Sequence, residues 1–370
     1  MMNRLLSRLD DAIAASRLPR EVPLLRAERA VVLARLGELD RMRQEVATLR
    51  ASPEMLTMPV LNAWLLLAEG LGDFYADLSL RSHERVRRSL ALGKAARNAR
   101  VQSLAAAWLA HLDFYVRDDA SALEHVALAL KLARSDHHGA RSRASLVVAG
   151  MLHYARRDEE SQAWYALARR HATTEGDGAA LSSIMYNMAF LRVLDARVAD
   201  LRDPGGCPEG VLRRAVLGTE SSVHLDRSVQ TRALSNHPPM RRAQILLLTG
   251  EIEAALALYE EHTRKAIEEG LGVSESVFRA DQAWCLAMLG RSDAALRTAR
   301  DAEAALHGAV EPEDLVIAHG MLERVFRRLG LDEVAAIHED RGAAHYRVYS
   351  DRIAALLAGL DRLGLRTAPC

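Results

Sequence analysis

Cysteine is scarce in this chain. Cys207, Cys285 and Cys370 are the three among 370 residues, and their spacing forms neither a CxxC pair nor a Cys/His ligand set. A disulfide framework and a structural zinc are therefore excluded as organising devices, and a reducing cytoplasm is the expected setting. Aromatic residues are few as well, 5% against 49% apolar overall, so the core must rest on Ala, Leu and Val packed at helical spacing. Net charge is missing: 49 basic and 49 acidic residues cancel, which removes a global attraction to nucleic acid or an anionic membrane. No window approaches the ~20 apolar residues of a membrane span, and the opening MMNRLLSRLDDAIAAS is broken by Arg and Asp, unlike a signal peptide. Its Leu5, Leu6, Leu9 and Ile13 read as a first amphipathic helix. Proline is absent from residue 60 to residue 203, so helices there can run between short turns. HExxH, GxSxG, Walker-type and GxGxxG motifs are also missing, and no enzyme, cofactor or metal is expected.

What the chain does have is a period. Gly250, Gly290 and Gly330 stand at steps of 40, each after a stretch ending in leucine and before GEIEAAL, GRSDAAL or GLDEVAA. Counting by 40 from Gly37 gives Asp77, Arg117 and Arg157, all in polar interruptions, and the same step joins Phe74, Phe114 and Tyr154. Helical hairpins with one aromatic each explain both series. Gly250, Ala255 and Tyr259, with Ala295 and Ala335 continuing the alanine position, resemble the tetratricopeptide (TPR) repeat. The period is longer than the usual ~34 residues of that family and is similar to the long-repeat variants of bacterial regulators. The resemblance implies an all-α, right-handed α-solenoid of about eight hairpins that binds a protein or peptide in a groove lined by the first (A) helix of each pair.

The register breaks near Arg197, where ADLRDPGGCPEG brings two prolines and three glycines. This divides the expected organisation into residues 1–200, an irregular loop at 201–212, hairpins over 213–344 and a terminal segment at 345–370. The loop is a connector or a mobile lid, and Cys207 within it a candidate exposed thiol. In the terminal segment Tyr346, Tyr349, Ile353, Leu356, Leu360 and Leu363 follow a/d spacing over three heptads. Two readings stay open for that stripe: a cap packed on the last hairpin, or a coiled coil joining a homodimer.

Candidate binding residues are polar or aromatic positions on A helices: Asn62 with Trp64, Gln102 with Trp108, Tyr186 with Asn187, Arg192, and Gln282 with Trp284. Asn62 and Gln102 lie one period apart, and amides can both donate to and accept from a peptide backbone. A second candidate is the basic ridge of residues 81–100, where Arg81, Arg85 and Arg88 share a helix face suited to an acidic partner. Ser135 and Asp136, before His137 and His138, read as helix caps rather than as part of a metal site. Adjacent carboxylates such as Glu159 with Glu160 point in different directions on a helix and read as solvated. The expected function is a non-enzymatic scaffold or regulator that binds a protein or peptide; the alternative is a small-molecule-responsive sensor acting near residues 201–210.

Overall fold

The fold was obtained as a computed structural model that describes residues 4–202, 209–229, 234–308 and 311–369. Among these residues all regular structure is helical. After α1 (Arg4–Ala15), α2 (Glu21–Leu36) pairs with α3 (Leu39–Arg50), and a single turn, α4 (Glu54–Thr57), leads onward. Three hairpins follow in order: α5 (Pro59–Asp77) with α6 (Arg81–Ala95), α7 (Ala99–Tyr115) with α8 (Asp119–Leu132), and α9 (His138–Tyr154) with α10 (Asp158–Glu175). Next come α11 (Gly178–Arg202) and α12 (Glu209–Val229), then α13 (His237–Thr249) paired with α14 (Ile252–Glu268). Then α15 (Glu275–Met288) pairs with α16 (Ser292–Ala305), and α17 (Pro312–Arg328) meets α18 (Asp332–Arg362) through Phe326 stacked on His338 and Arg327 bonded to Glu339. Among the described residues these paired helices have the TPR-like hairpin form expected from the 40-residue period.

The corners show why the period survives the loss of glycine. Gly37, Gly250, Gly290 and Gly330 adopt φ of 75°, 84°, 73° and 75°, the left-handed region where a Cβ is unfavourable. In the intervening hairpins Leu78, Arg117 and Arg156 take the same region at 54°, 67° and 58°, within a residue of the positions obtained by counting. One hydrogen-bond pattern closes both kinds of corner. Arg291 N donates to Leu286 O over 2.9 Å after Gly290, and Asp118 N donates to Asp113 O over 2.9 Å after Arg117. The side chains at the arginine corners accept a backbone strain of ~1–2 kcal/mol each, and the packing on either side must hold it.

Small side chains set the helix spacing. Ala255, Ala295 and Ala335 occupy equivalent places early in three second (B) helices and are fully buried. Helices α5, α7 and α9 are buried over most of their circumference, which matches sequences that are apolar on nearly every face. Side chains one period apart meet between neighbouring hairpins. Phe114 and Tyr154 contact edge to face with ring centroids 6.2 Å apart, and Ser274 donates to Asp314 over 2.6 Å.

The chain divides into two compact units. The first comprises Met1–Met185, His224–Leu234 and Leu356–Cys370; the second comprises Tyr186–Val223 and Ser235–Ala355. Within the first, α1 buries Leu5 and Leu9 against Val32, Leu36 and Ala179, and Leu5 N donates to Gly176 O over 3.0 Å. Each fully buried leucine contributes ~1.5–3 kcal/mol. The end of α18 also lies in this unit: Leu356 and Leu360 are buried, Gly359 abuts Leu123 of α8, and Trp164 Nε1 donates to Leu365 O over 3.0 Å. In the second unit α11, α12 and α13 pack through Val193, Ala196, Ala215 and Ile245.

Candidate functional site

Gly176 closes α10 in a left-handed turn and hands the chain to Asp177, which does two jobs. Its Oδ1 accepts the Ala180 N–H over 2.9 Å, capping the start of α11, while its Oδ2 accepts from Arg35 Nη1 over 2.7 Å. Arg35 belongs to α2, 142 residues earlier, and both partners are buried. Burial alone would lower the basicity of Arg35, but the Asp177 carboxylate, helped by Tyr75, carries it above the ordinary guanidinium value.

A second guanidinium faces the first. Arg143 of α9 is 4% exposed, and its Nη1 donates to Ser183 Oγ of α11, one period on, over 3.2 Å. Its guanidinium carbon lies 3.8 Å from the ring centroid of Trp108 on α7, and that of Arg35 lies 5.8 Å from the same ring. No carboxylate approaches Arg143 within ion-pair distance among the described residues. Burial accordingly pulls it down to about 10, with Arg35 adding to the fall and Tyr75 and Asp177 opposing it. His111, edge-on to Trp108 with centroids 5.5 Å apart, is held well below the usual imidazole value by burial and then by Arg143, so it remains neutral. Against two guanidiniums the cluster holds one carboxylate. A cavity of about 10 Å³ lies beside it, lined by Arg35, Arg143, Trp108, Ser142, Leu104 and Leu146 among others. Cation–π contact with Trp108 offsets about 2 kcal/mol of the several kcal/mol needed to dehydrate a buried cation. The arrangement is electrostatically matched to an anionic group.

Of the residues marked in the sequence, only Trp108 enters this cluster. Trp64 is buried, and Asn62 and Gln102 are half-buried at equivalent points of α5 and α7, with Gln102 close to Gly93 at the end of α6. Tyr186, Asn187, Arg192, Gln282 and Trp284 are half-buried and belong to the second unit. On the basic ridge Arg81 and Arg88 are exposed, whereas Arg85 reaches Asp73 over 3.1 Å and Glu69 over 3.5 Å, so part of that charge is already matched. In the terminal stripe Tyr349, Leu356 and Leu360 are buried, Tyr346 and Ile353 half-buried, and Leu363 43% exposed. Tyr346 lies under the Arg202 guanidinium at 4.4 Å.

The capping role expected of Ser135 and Asp136 is corrected by the structure. Helix α9 starts at His138, so its N-cap is His137, which makes no side-chain cap bond, rather than Ser135 or Asp136. Instead the buried His137 ring accepts the Arg134 N–H over 3.3 Å and meets Ser103 Oγ at 3.2 Å, while His138 meets His171 at 3.0 Å. The core of the expected loop, residues 203–208 with Cys207, lies outside the described residues.

Arg35, Arg143 and Asp177 were missed by sequence reasoning. One signal pointed to Arg143: Ser103, Arg143 and Ser183 are one period apart, and a charged member of a column in an apolar helix is conspicuous. Asp177 follows a glycine corner in the manner of a cap, but nothing local links it to Arg35.

Comparison with protein-family profiles and with curated protein sequences gives no match. Among solved structures the chain is similar to a Rap protein complexed with competence and sporulation factor. The match has a TM-score of 0.58 at 11% identity and covers 94% of this chain and 98% of that one. At this identity the likeness establishes the fold alone, an all-α TPR-like hairpin array.

Proposed function

We propose that this protein is a regulatory binding protein, and that an acidic peptide or protein segment is recognised where α2, α7, α9 and α11 meet. The observation that carries this reading is Arg143, a buried guanidinium with no carboxylate of its own, stacked on Trp108 beside Arg35. A guanidinium held by an aromatic face presents its N–H fork to a carboxylate with little entropy left to lose. The site is closed in this structure, so a segment enters as neighbouring hairpins shift, a motion open to arrays in which each repeat contacts chiefly its neighbours. The fold match to a Rap protein complexed with a factor supports a binding role for such an array.

The test uses short acidic, neutral and basic peptides presented on an array, followed by fluorescence anisotropy of those retained. Acidic peptides are expected to bind the wild type, and Arg143→Gln is expected to weaken them at least ~10-fold. The double variant Arg85→Glu, Arg88→Glu keeps its affinity if the cluster is the site. Undiminished binding by Arg143→Gln together with loss in the double variant would move recognition to the exposed ridge, and no preference for acidic peptides would end the reading.

A further inference from the structure

Helix α18 carries a second heptad stripe beside the one that docks. Ile337, Arg341, Ala344, Val348, Asp351 and Ala355 follow one another at alternating steps of four and three, all within the second unit. At about 100° per residue they fall within an arc of about 80° on one helix face. Tyr349 and Leu356 of the other stripe are buried, whereas all six of these residues are exposed, Ile337 at 50% and Val348 at 52%. The charges on this face are unmatched as well. Off the stripe, Glu339 pairs with Arg327 and Arg352 with Glu313. Among the described residues neither Arg341 nor Asp351 has an opposite charge within ion-pair distance.

The order of residues along the stripe selects what covers it. Reflection about Tyr346 exchanges Ile337 with Ala355, Arg341 with Asp351 and Ala344 with Val348. A second copy of the helix, laid antiparallel, therefore sets each Arg341 against an Asp351, each Ile337 against an Ala355 and each Ala344 against a Val348. Laid parallel, it would set Arg341 against Arg341 and Asp351 against Asp351, so charge rejects that orientation. A large residue against a small one lets the helix axes approach to ~8–10 Å. Arg347, on the flank beside the twofold axis, meets its own copy, but on a solvated rim and one turn from Asp351 of its own chain. We infer that the outer face of α18 between Ile337 and Ala355 is a homodimer interface, closed by an antiparallel second copy of this chain. The contact is about 27 Å long and one helix wide, less than the ~1,200 Å² of a tight complex, so association belongs in the micromolar range. It uses neither Leu356 nor the Arg143 cluster, and so is independent of the peptide site proposed above.

Sedimentation equilibrium of the full chain between about 1 and 300 µM tests this, and the wild type is expected to pass from monomer to dimer across that range. Arg341→Asp and, separately, Asp351→Arg place like charges opposite each other, and each should weaken association at least ~10-fold. An equimolar mixture of the two variants brings opposite charges together again and should dimerise at least as well as wild type. The double variant carrying both changes should also recover wild-type association, since the pair is merely exchanged. Both positions are exposed, so helical circular dichroism and Tm should stay at their wild-type values in every variant. A monomer throughout the range, or a dimer that Arg341→Asp leaves unchanged, would overturn the assignment. So would association that is lost in the single variants and not regained in their mixture.

Discussion

Arg197 sits at the point where counting by 40 predicts a corner, yet α11 runs through it to Arg202. Its side chain turns inward instead, donating through both Nη atoms to Asp281 over 2.6 Å, with both residues essentially sealed from solvent. Tyr259 completes the group by donating to Asp281 Oδ2 over 2.7 Å, and burial followed by the carboxylate holds the phenol well above its ordinary value. Such a pair adds little net stability when intact but is costly to break, because the surviving ion has no water to turn to. Arg197→Met should therefore cost ~3–5 kcal/mol in urea unfolding of the second unit. Adding Asp281→Leu should recover a large part of that loss. A single variant as stable as wild type would mean that water already reaches Asp281. Tyr259 could be read from the repeat pattern, whereas Arg197 could not: its partner lies 84 residues away, and nothing near it in sequence marks the pairing.

At the scale of the helix, periodicity reports which face is buried but not what buries it. The stripe of α18 fits an intermolecular seam and an intramolecular dock equally well. In the structure Leu356 and Leu360 are covered within the first unit, where Arg366 also pairs with Glu160, its Nη2 donating over 2.7 Å. That ion pair, with Arg157 on the other side, holds Glu160 down to about 2. Leu356→Asp should thus lower stability by ~3 kcal/mol or more through burial of an unpaired charge, with no change of mass in sedimentation. Conversion of a dimer to a monomer would instead show that the stripe joins two chains. The same distinction explains what was legible. Corners at Gly250, Gly290 and Gly330 depend on local turn chemistry, and the arginine corners followed from the step alone. Arg143 and Asp177 take their meaning from α2 and α7, so their roles appear only once distant helices are side by side.

For the molecule as a whole, buried histidine sets the response to acid. Among the described residues His111, His137, His171, His237, His319, His338 and His345, seven of the 14 in the chain, are all lowered, in each case first by burial. His319 shows the cause most fully. Its Nδ1 lies 2.8 Å from that of His338, His345 stacks on its other side, and Arg341 adds a further positive charge, bringing it to about 4; Glu303 faces His338 rather than His319. Each of these rings is more acidic folded than unfolded, so the unfolded chain takes up protons first as pH falls below ~6.5. Their contribution is complete above that pH and is lost on the way down, to about 3 kcal/mol for His319 near pH 4. Asp113, held low by its bonds to His125 and His83 in spite of burial, acts in the same direction at lower pH, while Glu175 and Asp73, raised by burial, oppose it. The histidines outnumber the two opposing carboxyls. Urea midpoints should therefore fall steadily from pH 7.5 to pH 5, and His319→Asn should flatten the slope by the share of one ring. A stability that is level or rises across that interval would mean that these imidazoles are solvated in the folded chain, and would remove the basis for treating His111 as neutral beside Arg143.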